Sequence, residues 1–192
     1  MIDQAAKLLV DVAFGLVVYS LIARFLMQLL HAPFRNPIGQ AVIALTDWIV
    51  KPLRRIFPGF GGIDWASLVA AFVFQLLWLL ALYAIFGRGF SISGAGILYL
   101  LAATLLELVK GGLWVLVIVV IVQAVLSWVA PDGPLAGLLN AMTFPFLRPL
   151  RRVIPPIGGA LDLTPLILIV IIQLILMLPV RWIEQQLPAL LS

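Results

Sequence analysis

Two short segments of the chain carry closely spaced arginines that could bind anionic groups. The first segment is KPLRRIFPGFGGID at residues 51–64, and its near copy is RPLRRVIPPIGGALD at residues 148–162. A guanidinium group can donate two parallel hydrogen bonds to one phosphate or carboxylate. The segments therefore predict contacts with anionic lipid headgroups or an acidic partner through six residues: Lys51, Arg54, Arg55, Arg148, Arg151 and Arg152. The competing interpretation is that these cations only fix the orientation of the chain in a membrane.

A second group of polar residues lies inside apolar stretches, where an unpartnered polar side chain is unfavourable. Its members are Arg24, Gln28, Gln75, Gln123 and Gln173. They could hydrogen-bond between helices, and Arg24 could also extend along its own stem to the membrane surface. Alternatively, they could line a polar path for an ion. We favour the structural interpretation and keep the path as the alternative.

Catalytic and metal chemistry have no clear candidates in the sequence. The chain has no cysteine and a single histidine, His31, which no carboxylate cluster accompanies. We therefore expect no metal site, no haem site and no cofactor held by this chain. No nucleophile stands beside a base and no phosphate-binding loop is present, so we expect no catalytic residues and no enzymatic activity.

The elements that carry these residues are predicted to be membrane helices, because 64% of the side chains are hydrophobic and only 10% are charged. A helix needs roughly 20 residues to cross a hydrocarbon core about 30 Å thick. Four stretches meet this requirement, at residues 8–30, 66–86, 95–129 and 163–182. The first lacks a clear cleavage site, so we expect it to be retained as a helix and not removed as a signal peptide.

The third stretch is too long for one simple crossing, and Gly111-Gly112 lies within it. We expect an interfacial helix at residues 96–110, followed by a crossing at residues 113–129. A single long, tilted helix over residues 95–129 is the alternative. Glu107 and Lys110 are three residues apart, which predicts an ion pair on the helix surface.

The distribution of basic residues predicts the orientation of the four crossings. One side holds Arg35, Lys51, Arg54, Arg55, Arg148, Arg151 and Arg152, and the other has only Lys7, Arg88 and Arg181 near the crossings. The side rich in Lys and Arg is expected to be cytoplasmic, in a bacterial inner membrane. Because topology explains the net charge of +4, we expect no nucleic-acid binding.

Short helices and turns are predicted around the two basic segments. Apolar residues at 42–53 and 138–150 suggest amphipathic helices in the membrane interface, the first with an Asp47–Lys51 pair. The prolines and the Gly-Gly pairs that follow favour sharp turns at 58–62 and 155–159. Asp64 and Asp162 stand where the N-cap of the next crossing helix is expected.

The two halves of the chain form a repeat. The basic segments align without a gap from residues 51–58 to residues 148–155, and the flanking Gln75 corresponds to Gln173. We predict two units, at 1–94 and 95–192, that have the same orientation and are related by a pseudo-twofold axis along the membrane normal. The expected fold is an all-α membrane protein with four transmembrane helices in two parallel-oriented hairpin repeats and interfacial amphipathic helices.

The duplicated Pro-Leu-Arg-Arg-x-x-Pro, with Gly-Gly and Asp after it and Asn36-Pro37 before the first copy, resembles the YggT family, also called YlmG. The resemblance covers nearly the whole chain as two tandem copies of the family unit. It implies roles such as haem-protein assembly, nucleoid distribution, division, or osmotic and ion homeostasis. We expect a non-enzymatic membrane protein that organises or assists assembly of other membrane components. Its expected partners are anionic lipids and a membrane protein or a second copy; the alternative is a channel or carrier in ion homeostasis.

Overall fold

The computed structural model describes residues 2–85, 93–154 and 162–190, and these form helices joined by short loops. The helices are α1 (Ile2–Leu29), α2 (Pro37–Leu53), α3 (Trp65–Ile85), α4 (Gly94–Val129), α5 (Ala136–Val153), α6 (Thr164–Ile175) and α7 (Arg181–Leu190). A π-helical turn at Leu176–Val180, which contains Pro179, joins α6 to α7. Proline removes a backbone donor, and such a turn accommodates the missing hydrogen bond within a continuous helix.

Four helical segments are long and apolar enough to cross a membrane. They are Gln4–Leu29, Trp65–Ile85, Gly94–Val129 and Thr164–Pro188. The prediction of an all-α protein with four membrane-crossing helices is therefore confirmed. We call the side where α1 and α4 end and α3 and α6 begin the basic-loop side, and the opposite side the terminal side.

The expected division of the third crossing is wrong, because α4 is one helix of 36 residues. The reason lies in the packing of α4 against α1. A Cβ atom on Gly111 would lie 2.8 Å from Ile22 Cδ1, so the glycine allows two helices to approach closely. A break at this position would also expose backbone groups within the hydrocarbon, which lipid cannot satisfy.

The two short helices α2 and α5 have the same pattern of buried residues. Val42, Thr46 and Val50 are buried in α2, and Leu139, Thr143 and Leu147 are buried at the matching positions of α5. Thr46 and Thr143 each donate a hydrogen bond to the carbonyl four residues earlier, at 2.6 and 2.8 Å. The predicted amphipathic helices are present, while their depth in a bilayer stays a prediction.

The starts of α2 and α5 differ. Asn36 caps α2, since its Oδ1 accepts a hydrogen bond from the Gly39 amide at 2.9 Å and its Nδ2 donates to the Pro33 carbonyl at 2.6 Å. At α5 the capping residue is Leu135, which provides no side-chain hydrogen bond. The second unit therefore lacks the side-chain cap that the first unit has.

The end of α1 explains the position of the lone histidine. His31 has a φ of 54°, and its amide donates to the Gln28 carbonyl at 3.1 Å, while the Ala32 amide donates to the Met27 carbonyl at 2.8 Å. This is a Schellman motif with histidine at the left-handed position. His31 thus closes the first helix through its backbone.

The contacts between the two units do not follow a closed twofold arrangement. Helix α3 packs against α4 of the second unit, whereas among the described residues α6 contacts neither α1 nor α3. The expected pseudo-twofold axis is therefore not supported by the packing. The boundary at residues 94/95 stays a prediction.

Candidate functional site

Arg24 lies in α1 and is held in a polar cluster on the basic-loop side of the first unit. Its Nη1 donates to Thr46 Oγ1 at 2.7 Å and to Asp47 Oδ1 at 2.9 Å, and its Nε lies 3.9 Å from Asp64 Oδ2. Arg24 is only 5% exposed. A buried guanidinium is unfavourable unless it is paired, and two carboxylates lie within 4 Å of it. Arg24 is therefore bound within the protein and does not extend to the surface.

Arg54 and Asp64 form the centre of the first basic segment. Arg54 Nη2 lies 2.6 Å from Asp64 Oδ2, and Arg54 Nε lies 3.4 Å from Oδ1. The same Nη2 donates to Gln28 Oε1 of α1 at 3.2 Å. The pair therefore links the end of α2, the start of α3 and the end of α1, and we call it the first clamp.

Asp64 is also the N-cap of α3, as predicted. Its carboxylate accepts hydrogen bonds from Ser67 Oγ at 2.7 Å and from the Ser67 amide at 3.4 Å, and Asp64 is 1% exposed. Burial alone would raise the pKa of the Asp64 carboxyl, but the hydrogen bonds from Arg54 and Ser67 outweigh it and lower this pKa below 3.8. The carboxylate is thus held in its charged form.

The second unit has an equivalent clamp between Arg151 and Asp162. Arg151 Nε donates to Asp162 Oδ2 at 2.9 Å, and Arg151 Nη2 lies 2.8 Å from the same oxygen. Asp162 Oδ1 accepts from the Thr164 amide at 2.9 Å and from Thr164 Oγ1 at 2.6 Å. Burial would raise the pKa of Asp162, but the hydrogen bonds of Thr164 and Arg151 lower it. We call this pair the second clamp.

The predicted N-cap role of Asp162 is displaced by one residue. The capping position of α6 is Leu163, and Pro165 occupies the first turn of this helix. Because proline has no amide hydrogen to donate to a cap, the Asp162 carboxylate binds the Thr164 amide instead. The carboxylate still anchors the start of the fourth crossing.

The clamps were not predicted from the sequence, because we assigned the same anion-binding role to both arginines of each pair. The available signal was a similar separation, since Arg54 precedes Asp64 by ten residues and Arg151 precedes Asp162 by eleven. The turn between Arg54 and Asp64 brings them together. Gly61 and Gly62 have φ values of 66° and 80°, which glycine adopts without strain. The matching turn of the second unit, with Gly158 and Gly159, lies outside the described residues.

The second arginine of each pair faces outward. Arg55 and Arg152 are exposed, and neither has an ion pair among the described residues. Lys51 is also exposed, but it pairs with Asp47 at 2.7 Å, as predicted. Arg148 lies over the Phe144 ring, 5.6 Å from its centroid. Of the six predicted binding residues, two are therefore held in clamps, two have local partners, and Arg55 and Arg152 have no ion pair in the described part of the chain.

The glutamines that could have lined a polar path lie apart from one another. Gln75 is 6% exposed and borders a cavity of about 190 Å³ between α1, α3 and α4. Gln123 Nε2 donates to Asn140 Oδ1 at 2.9 Å, while Gln173 is exposed on α6. Gln28 accepts a hydrogen bond from Arg54 of the first clamp. Within the described residues these side chains do not join Arg24 in one continuous row.

Three further ion pairs lie toward the terminal side of the bundle. Asp11 pairs with Lys7 and accepts a hydrogen bond from Trp78 Nε1 at 3.0 Å. The predicted Glu107–Lys110 pair is present at 2.7 Å, and Lys110 also lies 3.3 Å from Glu184 of α7. In the described part of the chain, no group of three or more histidines or carboxylates could hold a metal ion.

Comparison with known proteins agrees with the two-unit organisation. The family model CCB3/YggT matches residues 4–85 and again residues 102–183. An uncharacterized protein of Pseudomonas aeruginosa is 36% identical over 182 residues, which cover 94% of this chain and 90% of the relative. The uncharacterized protein YggT of Escherichia coli K12 is 36% identical over 81% of this chain and 78% of its own length. No solved structure matches the chain.

Proposed function

Since the chain belongs to the CCB3/YggT family and contains two copies of the family unit, we propose that it is a non-enzymatic membrane protein that holds anionic lipid headgroups. In this proposal the exposed Arg55 and Arg152 bind the headgroups, and Lys51 and Arg148 add to the positive potential around them. The resulting patch of bound lipid assists the organisation or assembly of other membrane components.

The observation that carries the proposal is that the two arginines of each pair have different contacts. Each clamp fixes the backbone at the first arginine by binding it to a carboxylate at the start of the next crossing. The following residue, Arg55 or Arg152, is left exposed on a fixed support. A cation whose backbone is already ordered loses less conformational freedom when it binds an anion.

Exposed apolar side chains beside the arginines favour a membrane surface over free solution. Ile56 and Phe57 follow Arg55 directly, and Phe60 at the tip of the turn is 81% exposed. Val153 follows Arg152 and is exposed as well. Aromatic and aliphatic groups next to cations are typical of segments that rest in the headgroup region.

The proposed orientation places the basic-loop side in the cytoplasm of a bacterium. Seven of the basic residues that adjoin the crossings lie on this side, namely Arg35, Lys51, Arg54, Arg55, Arg148, Arg151 and Arg152. Lysine and arginine are retained on the cytoplasmic side during insertion. The bacterial relatives favour the inner membrane as the location.

Lipid selectivity tests the proposal. The purified protein is returned to nanodiscs with equal amounts of phosphatidylglycerol and phosphatidylcholine, and the lipids that stay bound are counted by native mass spectrometry. We expect enrichment of phosphatidylglycerol, which the double variant Arg55→Gln/Arg152→Gln reduces several-fold. The control is Arg181→Gln, since Arg181 is an exposed cation outside the basic segments. Equal enrichment in all three proteins would remove the basis of the proposal.

The alternative function is an ion channel or carrier, and the cavity beside the buried Gln75 is the feature that favours it. Gln28 is linked to Arg24 through Arg54 and Asp64. The remaining glutamines, Gln75, Gln123 and Gln173, border three different cavities, which argues against a continuous path. Liposomes that contain the purified protein should therefore show no specific K⁺ or Na⁺ flux. A flux that Gln75→Leu abolishes would support transport and contradict our proposal.

A further inference from the structure

The fourth crossing has an exposed polar residue in its middle. Gln173 is the tenth residue of the 25-residue span Thr164–Pro188, and its side chain is exposed. An amide group in contact with lipid tails has no hydrogen-bond partner, and polar residues in membrane helices therefore usually face another helix. The position of Gln173 indicates that this face of α6 is covered in the membrane.

The first unit shows what covers the equivalent face. The two family matches begin 98 residues apart, at residues 4 and 102, and end 98 residues apart, at residues 85 and 183, so near the end of the unit Gln173 corresponds to Gln75 of α3. We use the name α6 face for six exposed residues of α6, the π-helical turn and the start of α7: Leu166, Val170, Gln173, Leu174, Met177 and Arg181. Their counterparts on α3 are all buried or half-buried: Leu68, Phe72, Gln75, Leu76, Leu79 and Tyr83.

The difference between the two faces has a structural cause. Gln75 and Leu79 line a cavity with Glu107 and Gly111 of α4 and with residues of α1 (Val18, Tyr19 and Ile22). Helix α1 of the same unit and α4 of the next unit therefore cover this part of the α3 face together. Among the described residues, α6 packs only against α4, α5 and the helix that continues from it. In the described part of the chain no helix of another unit packs on the α6 face, which is left open.

We propose that a second copy of this chain covers the α6 face and does so with its own α1. By the same 98-residue relation, Glu107 and Gly111 of α4 correspond to Leu9 and Ala13 of α1. This part of α1 has an exposed apolar face, in which Leu9 is 72% exposed and Leu8, Val12 and Leu16 are also exposed. The contact between copies thereby continues the contact between units.

The symmetry of this contact follows from the membrane. Two different faces meet, so the interface is heterologous, and copies with the same topology can only be related by rotation about the membrane normal. Such a contact closes into a ring when the rotation divides a full turn. The inferred assembly is a ring when the rotation closes and an open row when it does not, and in both cases α6 of each copy lies on α1 of the next. This inference does not depend on lipid binding by the arginines.

Cysteine cross-linking tests the inference, because the chain contains no native cysteine. Two differently tagged copies are expressed together, one with Leu9→Cys and the other with Met177→Cys, and membranes are treated with a short bifunctional thiol reagent. We expect a cross-linked product that carries both tags. Neither variant alone should form a dimer, since the two copies then present the same position.

A control within one chain shows whether the thiol reagent can link two cysteines across this type of helix contact. Leu79 and Glu107 line the cavity between the two units and are the counterparts of Met177 and Leu9. A chain with Leu79→Cys and Glu107→Cys should therefore be linked within itself and stay a monomer. If this control reacts while the two-tag pair does not, the inference is wrong. A dimer from Met177→Cys alone, or a product with a different membrane protein, would equally overturn it.

Discussion

The two arginines of each basic pair serve different purposes although they are adjacent in the sequence. Arg54 is bound to a carboxylate that is almost fully buried, while Arg55 is exposed. From the sequence we predicted both arginines as surface cations. The contact between Arg54 and Asp64, ten residues apart, depends on the conformation of the turn between them, which the sequence alone does not show. The second unit has one more residue than the first between its clamp arginine and its aspartate, and the second clamp nevertheless forms between Arg151 and Asp162.

Loss of the first clamp should destabilise the protein. Arg54→Gln removes the arginine that hydrogen-bonds to the buried Asp64 carboxylate and leaves Arg24 as the nearest cation, at 3.9 Å. We expect this loss to cost on the order of 1–3 kcal/mol of unfolding free energy. The measurement is unfolding in mild detergent, with Arg55→Gln as the matched control on the next residue. The control should change stability by less than about 0.5 kcal/mol, as expected for an exposed cation. Equal effects of the two substitutions would contradict the assigned roles.

The clamps also predict a pH dependence. The pKa values of Asp64 and Asp162 lie below 3.8 in the folded protein, because hydrogen bonds and arginines outweigh burial. The stabilisation they provide is present above the ordinary carboxyl pKa and is lost as the pH falls through the lower folded values. The midpoint temperature of thermal unfolding should therefore fall when the pH is lowered below about 4. The Asp64→Asn variant should be less stable at neutral pH, and its unfolding temperature should fall less at acid pH. An unchanged fall would show that protonation of Asp64 is not its cause.

At the scale of the helices, most elements could be predicted from the sequence. The prediction was wrong for α4, whose continuity depends on its packing against α1. The four crossings and the two amphipathic helices follow from composition and periodicity, which are local properties. The expected division of α4 at Gly111-Gly112 failed because glycine in a membrane helix can serve close contact as well as a break. Gly111 faces Ile22 and Tyr19 of α1, a relation that no local pattern contains.

The close contact at Gly111 predicts different effects for two adjacent substitutions. Gly111→Leu forces a side chain against α1 and should destabilise the protein by about 1–3 kcal/mol. At Gly112 an added Cβ would meet no atom within 4 Å, so Gly112→Leu should be neutral or stabilise α4 by up to about 1 kcal/mol. Thermal unfolding of both variants in the same detergent checks this. A larger loss at Gly112 would contradict the observed packing.

At the scale of the whole molecule, the repeat could be read from the sequence but the relation between the units could not. The sequence suggested that Gln75 and Gln173 play equal roles near a shared axis. The structure buries the first and exposes the second, because α4 of the second unit packs against α3, whereas in the described part of the chain no helix of another unit packs against α6. Equivalent residues in a tandem repeat thus acquire different surroundings from their order along the chain.

The proposed orientation can be tested with single cysteines in intact cells. Phe60→Cys places a thiol at the exposed tip of the first basic segment, and Gln4→Cys places one near the start of α1. An impermeant thiol reagent added outside the inner membrane should label the cysteine at position 4 and leave the one at position 60 unlabelled. Labelling at position 60 alone would reverse the orientation.

The central claim is that Arg55 and Arg152 touch lipid phosphate while Arg54 and Arg151 bind carboxylates. Solid-state NMR of ¹⁵N-arginine-labelled protein in phosphatidylglycerol bilayers measures this directly, through dipolar coupling between guanidinium nitrogen and phosphorus. We predict coupling for Arg55 and Arg152, which Arg55→Gln and Arg152→Gln remove one at a time, and none for Arg54 and Arg151. Coupling at the clamp arginines, with none at Arg55 and Arg152, would contradict the account.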